Sequence, residues 1–116
     1  MKTLFQILIL ALFTTHFAGG QTYDELIKQG DEKFYAGDFE NSIEIYKKAV
    51  EQYPEGVVGV FSLGYALGYS GFADDGIKYI NKALTMAPDS ISYRYARGEL
   101  KGYKGDYQSA IEDLTY

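Results

Sequence analysis

Glycine recurs at a fixed interval in this chain. Gly30, Gly64 and Gly98 stand 34 residues apart (64 − 30 and 98 − 64), and Gly37, Gly71 and Gly105 keep the same step. Ala49 with Ala83, Pro54 with Pro88, and Ile43 with Ile77 and Ile111 hold that register as well. A period of this length means stacked supersecondary units, because one unit buries its apolar face only against its neighbours.

The unit is helical. Ile43, Ile45, Tyr46, Ala49, Val50 and Tyr53 recur at steps of three and four that place them along one helix face, and Leu26, Ile27, Gly30, Phe34 and Tyr35 do the same before them. Gly37-Asp38 breaks the first unit in two, and Pro54-Glu55-Gly56 ends it. Each unit therefore reads as a helix hairpin, with helices expected near residues 23–36, 39–52, 57–70, 73–86, 91–104 and 107–116. The fold class is an all-α helical-hairpin repeat array with units near 23–56, 57–90 and 91–116, the last incomplete.

These residues resemble the tetratricopeptide repeat. The middle unit carries the fullest pattern, Val60-x-x-Leu63-Gly64-x-x-Leu67, then Gly76-x-x-x-Ile80, Ala83 and Pro88. In the first unit the pattern is Leu26-x-x-Gln29-Gly30, Gly37-Asp38-Phe39, Ser42-x-x-x-Tyr46, Ala49 and Pro54. The third has Arg94-x-x-Arg97-Gly98, Gly105-Asp106-Tyr107 and Ala110-x-x-x-Leu114. Gly30, Gly64 and Gly98 are expected at the closest approach of paired helices, and Gly37, Gly71 and Gly105 in turns that need positive φ. Asp38 and Asp106 are placed to cap the following helix. The middle unit has Phe72-Ala73 there, so its turn is expected to differ.

Residues 1–20 read differently. Lys2, an apolar run from Leu4 to Phe13 and the small residues Ala18-Gly19-Gly20 look like a secretory signal peptide of bacterial style. The competing reading is a membrane anchor, but a span needs about 20 apolar residues and Thr14-Thr15-His16 interrupts this one. The chain has no cysteine, which excludes a lipoprotein anchor and disulfides alike. The array, 21–116, is expected to be exported, to the periplasm or beyond. Lys2 is the only charged residue in the first twenty, so the other 96 residues carry a formal charge of −6 (−5 − 1). That sign disfavours nucleic acid as a partner.

Catalytic chemistry is scarce. The sole histidine, His16, lies in the presumed signal, which removes imidazole-based nucleophilic triads and the usual zinc sites from the array. No cofactor or metal is expected, and no enzyme activity. Asp74-Asp75 and Glu112-Asp113 read as solvated acids near helix starts.

Two groups of residues invite a binding role. Arg94, Arg97, Lys101 and Lys104 share one face of the fifth helix. That stripe either grips an acidic partner or phosphate group, or packs its stems on apolar neighbours and pairs with Glu99, Glu112, Asp113 or helices further on. The second group is aromatic, since all 12 tyrosines fall after residue 20. The family resemblance implies a concave groove lined by the first helix of each unit. Its facing positions here include Phe34, Tyr35, Phe61, Tyr65, Tyr69, Tyr95, Glu99 and Tyr103, with Gly68 and Gly102 leaving hollows between rings. Either these rings bind a partner or they pack helix on helix.

The implied function is a non-catalytic protein-interaction scaffold of the cell envelope that binds a protein or peptide segment. The alternatives are an amino-terminal sensor or adaptor module of a longer envelope protein, or a module binding a glycan or small ligand. The third unit stops at Tyr116, before the counterparts of Ala49 and Pro54. Its final helix, with Ile111 and Leu114, is then expected to continue in a longer protein or to be closed by a second copy or capping partner.

Overall fold

The computed structural model describes residues 20–115, so the presumed signal up to residue 19 lies outside the described residues. Six helices follow in order: α1 Tyr23–Tyr35, α2 Phe39–Gln52, α3 Val57–Tyr69, α4 Ala73–Met86, α5 Ile91–Tyr103 and α6 Tyr107–Leu114. They form three hairpins, α1 with α2, α3 with α4 and α5 with α6, stacked so that α2 meets α3 and α4 meets α5. The helix limits agree with the expected ones to within about two residues. Among the described residues no helix is long and apolar enough to cross a membrane.

Capping explains where several helices start. Thr22 opens α1 with a reciprocal box: its hydroxyl accepts from the Glu25 N–H, while the Glu25 carboxylate accepts from the Thr22 N–H. Asp38 caps α2 through the Asn41 N–H, and Ser90 caps α5 through the Tyr93 N–H. Asp106 was expected to do likewise and makes no side-chain cap. The difference follows from the next turn: the Asn41 amide also holds the Asp38 carboxylate at 2.7 Å, and α6 has Ser109 at that place.

The three turns inside the hairpins are alike. Gly37, Gly71 and Gly105 have φ of 80°, 99° and 89°. The following N–H, from Asp38, Phe72 and Asp106, returns to the carbonyl of Lys33, Leu67 and Lys101 at 2.9 Å each. This double-bonded C-terminal turn is built from backbone alone, so Phe72 in place of Asp leaves it intact. The expectation of a different middle turn is therefore corrected. Only the side-chain cap is lost there.

Small residues set the helix spacing. A Cβ on Gly64 would sit 2.7 Å from the Gly76 carbonyl oxygen, and one on Gly76 would sit 2.5 Å from that of Gly64. In the first hairpin the Tyr46 ring occupies the equivalent space against Gly30, and in the third Leu114 and Asp113 press on Gly98. Ala49 and Ala83 are fully buried. Around them lie two apolar clusters, Ile43, Tyr46, Leu63 and Ala66 in one, Ile80, Ala96 and Leu100 in the other. The glycines inside α3 and α4 are thus repaid by contact, which offsets their cost of about 1 kcal/mol each in an exposed helix.

Two substitutions separate contact from propensity. Gly76→Ala is expected to lower stability by about 1–3 kcal/mol, since backbone must move to admit the methyl. Gly102→Ala, with nothing within 4 Å of its added carbon, is expected to raise it by about 0.5 kcal/mol. Urea midpoints of the two variants check both signs, and a neutral Gly76→Ala would refute the close-approach account.

Candidate functional site

Helices α1, α3 and α5, the first of each hairpin, lie side by side. On α3, Phe61, Tyr65 and Tyr69 are spaced by four and form one stripe. Phe61 stacks on Tyr65 (centroids 5.5 Å, 20°) and more tightly on Tyr93 of α5 (4.2 Å, 17°). Phe34 of α1 meets Tyr65 and, edge-on, Tyr69, each at 5.7 Å. Tyr103 of α5 closes edge-on against Tyr69 from the other side, also at 5.7 Å. The rings therefore tie three helices together while their outer members remain open to solvent.

A polar network crosses the rings. The Tyr69 hydroxyl donates to Glu99 Oε2 at 3.1 Å, the Tyr65 hydroxyl donates to the Tyr69 oxygen at 3.1 Å, and that of Tyr103 does so at 3.5 Å. Tyr65 also lies 3.5 Å from Glu99 Oε2. Burial, with the Glu99 charge beside it, raises the Tyr65 phenol above its ordinary value despite the bond to Tyr69. The hydrogen bonds from Tyr103 and Tyr65, with burial and the nearby charge, raise Tyr69 further. Both stay neutral at any physiological pH. The charge of the cluster is that of Glu99.

Beside the cluster, a cleft of about 650 Å³ runs between α1 and α3, lined by Tyr23, Asp24, Ile27, Lys28, Asp31, Glu32, Tyr35 and Val58. Tyr35 connects the two regions: its ring meets Phe34 edge-on at 5.4 Å, and it is 84% exposed. The Asp31 carboxylate accepts from the buried Tyr46 hydroxyl at 2.5 Å. Burial and that acceptor raise the Tyr46 phenol well above its normal range.

Of the residues singled out in the sequence, Phe34, Phe61, Tyr65, Tyr69, Glu99 and Tyr103 come together in one cluster, with Tyr35 at its margin. Tyr95 stands apart, exposed, with no ring or hydrogen-bond partner among the described residues. Gly68 does not leave a hollow. Its face is filled by Leu100, whose Cδ2 would lie 2.2 Å from an added Cβ, whereas Gly102 is open. Tyr93 and Tyr23 were missed. Tyr93 falls two places before the expected groove position Tyr95, and Tyr23 reaches from α1 to accept the Gly59 N–H at 2.8 Å.

Residues 26–55 match the model of the tetratricopeptide repeat family. The matched stretch is the first unit, with its aromatic Phe39 and Tyr46, and not the middle one in which the sequence places the fullest pattern. Among solved structures, the array superposes on YrrB, described as a tetratricopeptide protein with an unusual peptide-binding site, with a TM-score of 0.76 at 21% identity, covering 84% of this chain and 50% of YrrB. The second tetratricopeptide domain of Spaghetti, bound to the HSP90 peptide SRMEEVD, gives 0.74 at 17%, covering 81% and 87%. A yeast Sti1 domain pair, in complex with an HSP90 partner, gives 0.74 at 24%, covering 79% and 36%. This chain has the tetratricopeptide-repeat fold. It spans half the length of the YrrB chain and about a third of the Sti1 one. No protein among those of curated function matches it.

Within the array the basic stripe has structural partners. Arg97 forks onto Asp113 through Nε and Nη2 at 2.8 and 2.7 Å, and Lys101 joins at 2.7 Å. Lys104 reaches Asp74 of α4 at 2.5 Å, while Arg94 forms no ion pair among the described residues. Asp113 corrects the reading of it as a solvated acid near a helix start: it is 5% exposed and sits in the last turn of α6. Burial alone would raise its carboxyl, but Arg97 and Lys101 outweigh that and hold it below the usual value. A depressed carboxyl contributes stability above the unfolded value, near 4, and loses it as pH falls through the folded value. Asp113→Asn is accordingly expected to cost about 3 kcal/mol at neutral pH, and the gap from the parent should narrow on acidification below about pH 4. Thermal melts across that range check it, and a pH-independent gap would assign the loss to packing instead.

Proposed function

We propose that this array is a non-catalytic scaffold that binds a polypeptide segment on the face made by α1, α3 and α5. The observation that carries this reading is the exposure of Tyr35, Tyr69, Tyr95 and Tyr103 on those three helices, at 84%, 37%, 51% and 61%. Rings open to water on a surface held rigid by stacking cost solvation and little entropy to dock against, which is why such patches mark interaction sites. The peptide-bound Spaghetti domain and the peptide-binding site of YrrB support the same use of this fold here. The cleft beside Tyr35 supplies depth for a side chain of the bound segment.

Peptides selected from a random display library against the full chain provide the test. Tyr69→Ala and Tyr65→Ala are each expected to weaken a selected peptide by about 1 kcal/mol or more, about thirtyfold or more for the pair. Unchanged affinity in a double variant that keeps its helical circular dichroism would sink the proposal.

The setting is proposed to be the cell envelope, on the strength of the apolar run from Leu4 to Phe13 and the small residues after it. Mass spectrometry of the protein from its native cells is expected to find an amino terminus near Gln21. A retained Met1 on soluble cytosolic protein would overturn the assignment.

A further inference from the structure

Every hydroxyl hydrogen in the Tyr65–Tyr69–Tyr103 cluster is committed inside it. A carboxylate only accepts, so Tyr69, 3.1 Å from Glu99, donates to it. Tyr103 has the Tyr69 oxygen as its partner, whose own hydrogen already points at Glu99, so Tyr103 must donate as well. Tyr65 has two acceptors in reach, Tyr69 and Glu99, and gives its hydrogen to one of them. The cluster therefore presents acceptor lone pairs, the faces of Tyr69 and Tyr103, and one carboxylate.

That carboxylate has no counter-ion among the described residues. Arg97 and Lys101 of α5 are directed to Asp113 and Lys104, just after it, to Asp74, while Arg94 forms no ion pair with Glu99. Helix α3 carries no charged residue at all. The adjoining cleft repeats the sign, with Asp24, Asp31 and Glu32 against the single Lys28. Three lysines of the second helices, Lys47, Lys78 and Lys82, line a separate cleft with Asp75, Leu67 and Tyr79. Lone pairs, ring faces and an uncompensated negative charge all favour the same visitor, a cation with hydrogens to donate.

Resting on the reading that this face binds a polypeptide, we infer that the segment it takes is basic. A lysine or arginine of the partner lays its stem across Tyr103 and Tyr69 and sets its head on Glu99, and a second cation of the same segment enters the cleft at Asp24 and Asp31. Acidic ligands do not fit that inventory: an acid would face Glu99 with no donor to meet it.

Three fluorescein-labelled dodecapeptide pools test this on the full chain by anisotropy. They share random aliphatic, aromatic and polar positions and differ only at four charged positions, which hold Lys/Arg, Asp/Glu or Ser/Gln. The Lys/Arg pool is expected to bind about three- to thirtyfold tighter than the Ser/Gln pool, in line with a desolvated cation–ring contact beside a carboxylate. Raising salt should shrink that margin, and Glu99→Gln should shrink the ratio between the Lys/Arg and Ser/Gln pools at fixed salt. If all pools bind alike, or the Asp/Glu pool binds best, the basic partner is refuted while the peptide-binding scaffold stands. If no pool binds, the scaffold reading falls and this inference falls with it.

Discussion

The approach of one helix to the next across a glycine is the constraint on which this molecule turns. At Gly64 and Gly76 two backbones meet with no side chain between them, and that contact sets the separation of α3 from α4. The same device then acts between units. Leu100 of α5 seats in the space that Gly68 leaves on α3, and the residue before Leu100 is Glu99. Seating Leu100 therefore fixes the height of Glu99 against Tyr69, which neighbours Gly68. A packing contact in the interior positions a charge on the surface.

Size is traded between units to keep this stack regular. At the register of Gly68 the preceding unit has Phe34, and at that of Leu100 it has Ala66 (each 34 residues earlier). Phe34 packs against the cluster that includes Ala66. The large side chain lies on the first helix in one junction and on the second in the next. Each junction sets one large side chain against one small one, as close-packed interiors require. The swap has a consequence for the surface, because Phe34 is large enough to extend beyond the junction and reach Tyr65 and Tyr69. A symmetric repeat would present no such bridge.

That asymmetry explains what was legible beforehand. The hairpins were readable because glycine, proline and alanine act on the backbone of their own unit, and Gly37, Gly71 and Gly105 show that the turn needs nothing else. The Phe61, Tyr65 and Tyr69 stripe was readable from helical spacing alone. Pairings across helices were not, since they depend on rotation and height that no local pattern carries. Gly68 and Gly102 occupy the same register and face different surroundings, which is why both were read as hollows and only one is open. Tyr93 lies outside the groove positions that the repeat implies, and its ring nevertheless stacks on Phe61. Asp113 was read both as a solvated acid and as one of several acids that could pair with the basic stripe, because its two cations sit 16 and 12 residues earlier on another helix.

The contrast between Asp113 and Glu99 shows how electrostatics divides structure from site. Both are carboxylates held by side chains of α5 or its neighbours. Asp113 is enclosed by two cations, so its field is cancelled where it arises and its energy is realised on folding. Glu99 is held by neutral phenols, which satisfy its geometry and part of its hydrogen bonding without cancelling its charge. Burial holds the Tyr65 phenol neutral and its hydrogen bonds with Tyr103 and Tyr65 hold that of Tyr69 so, and ionising either beside Glu99 would set like charges together. The result is a fixed carboxylate among rigid rings whose charge is still to be met. Arg97 and Lys101 of the same helix are engaged by Asp113, and no cation among the described residues pairs with Glu99, which leaves its charge for a partner to meet.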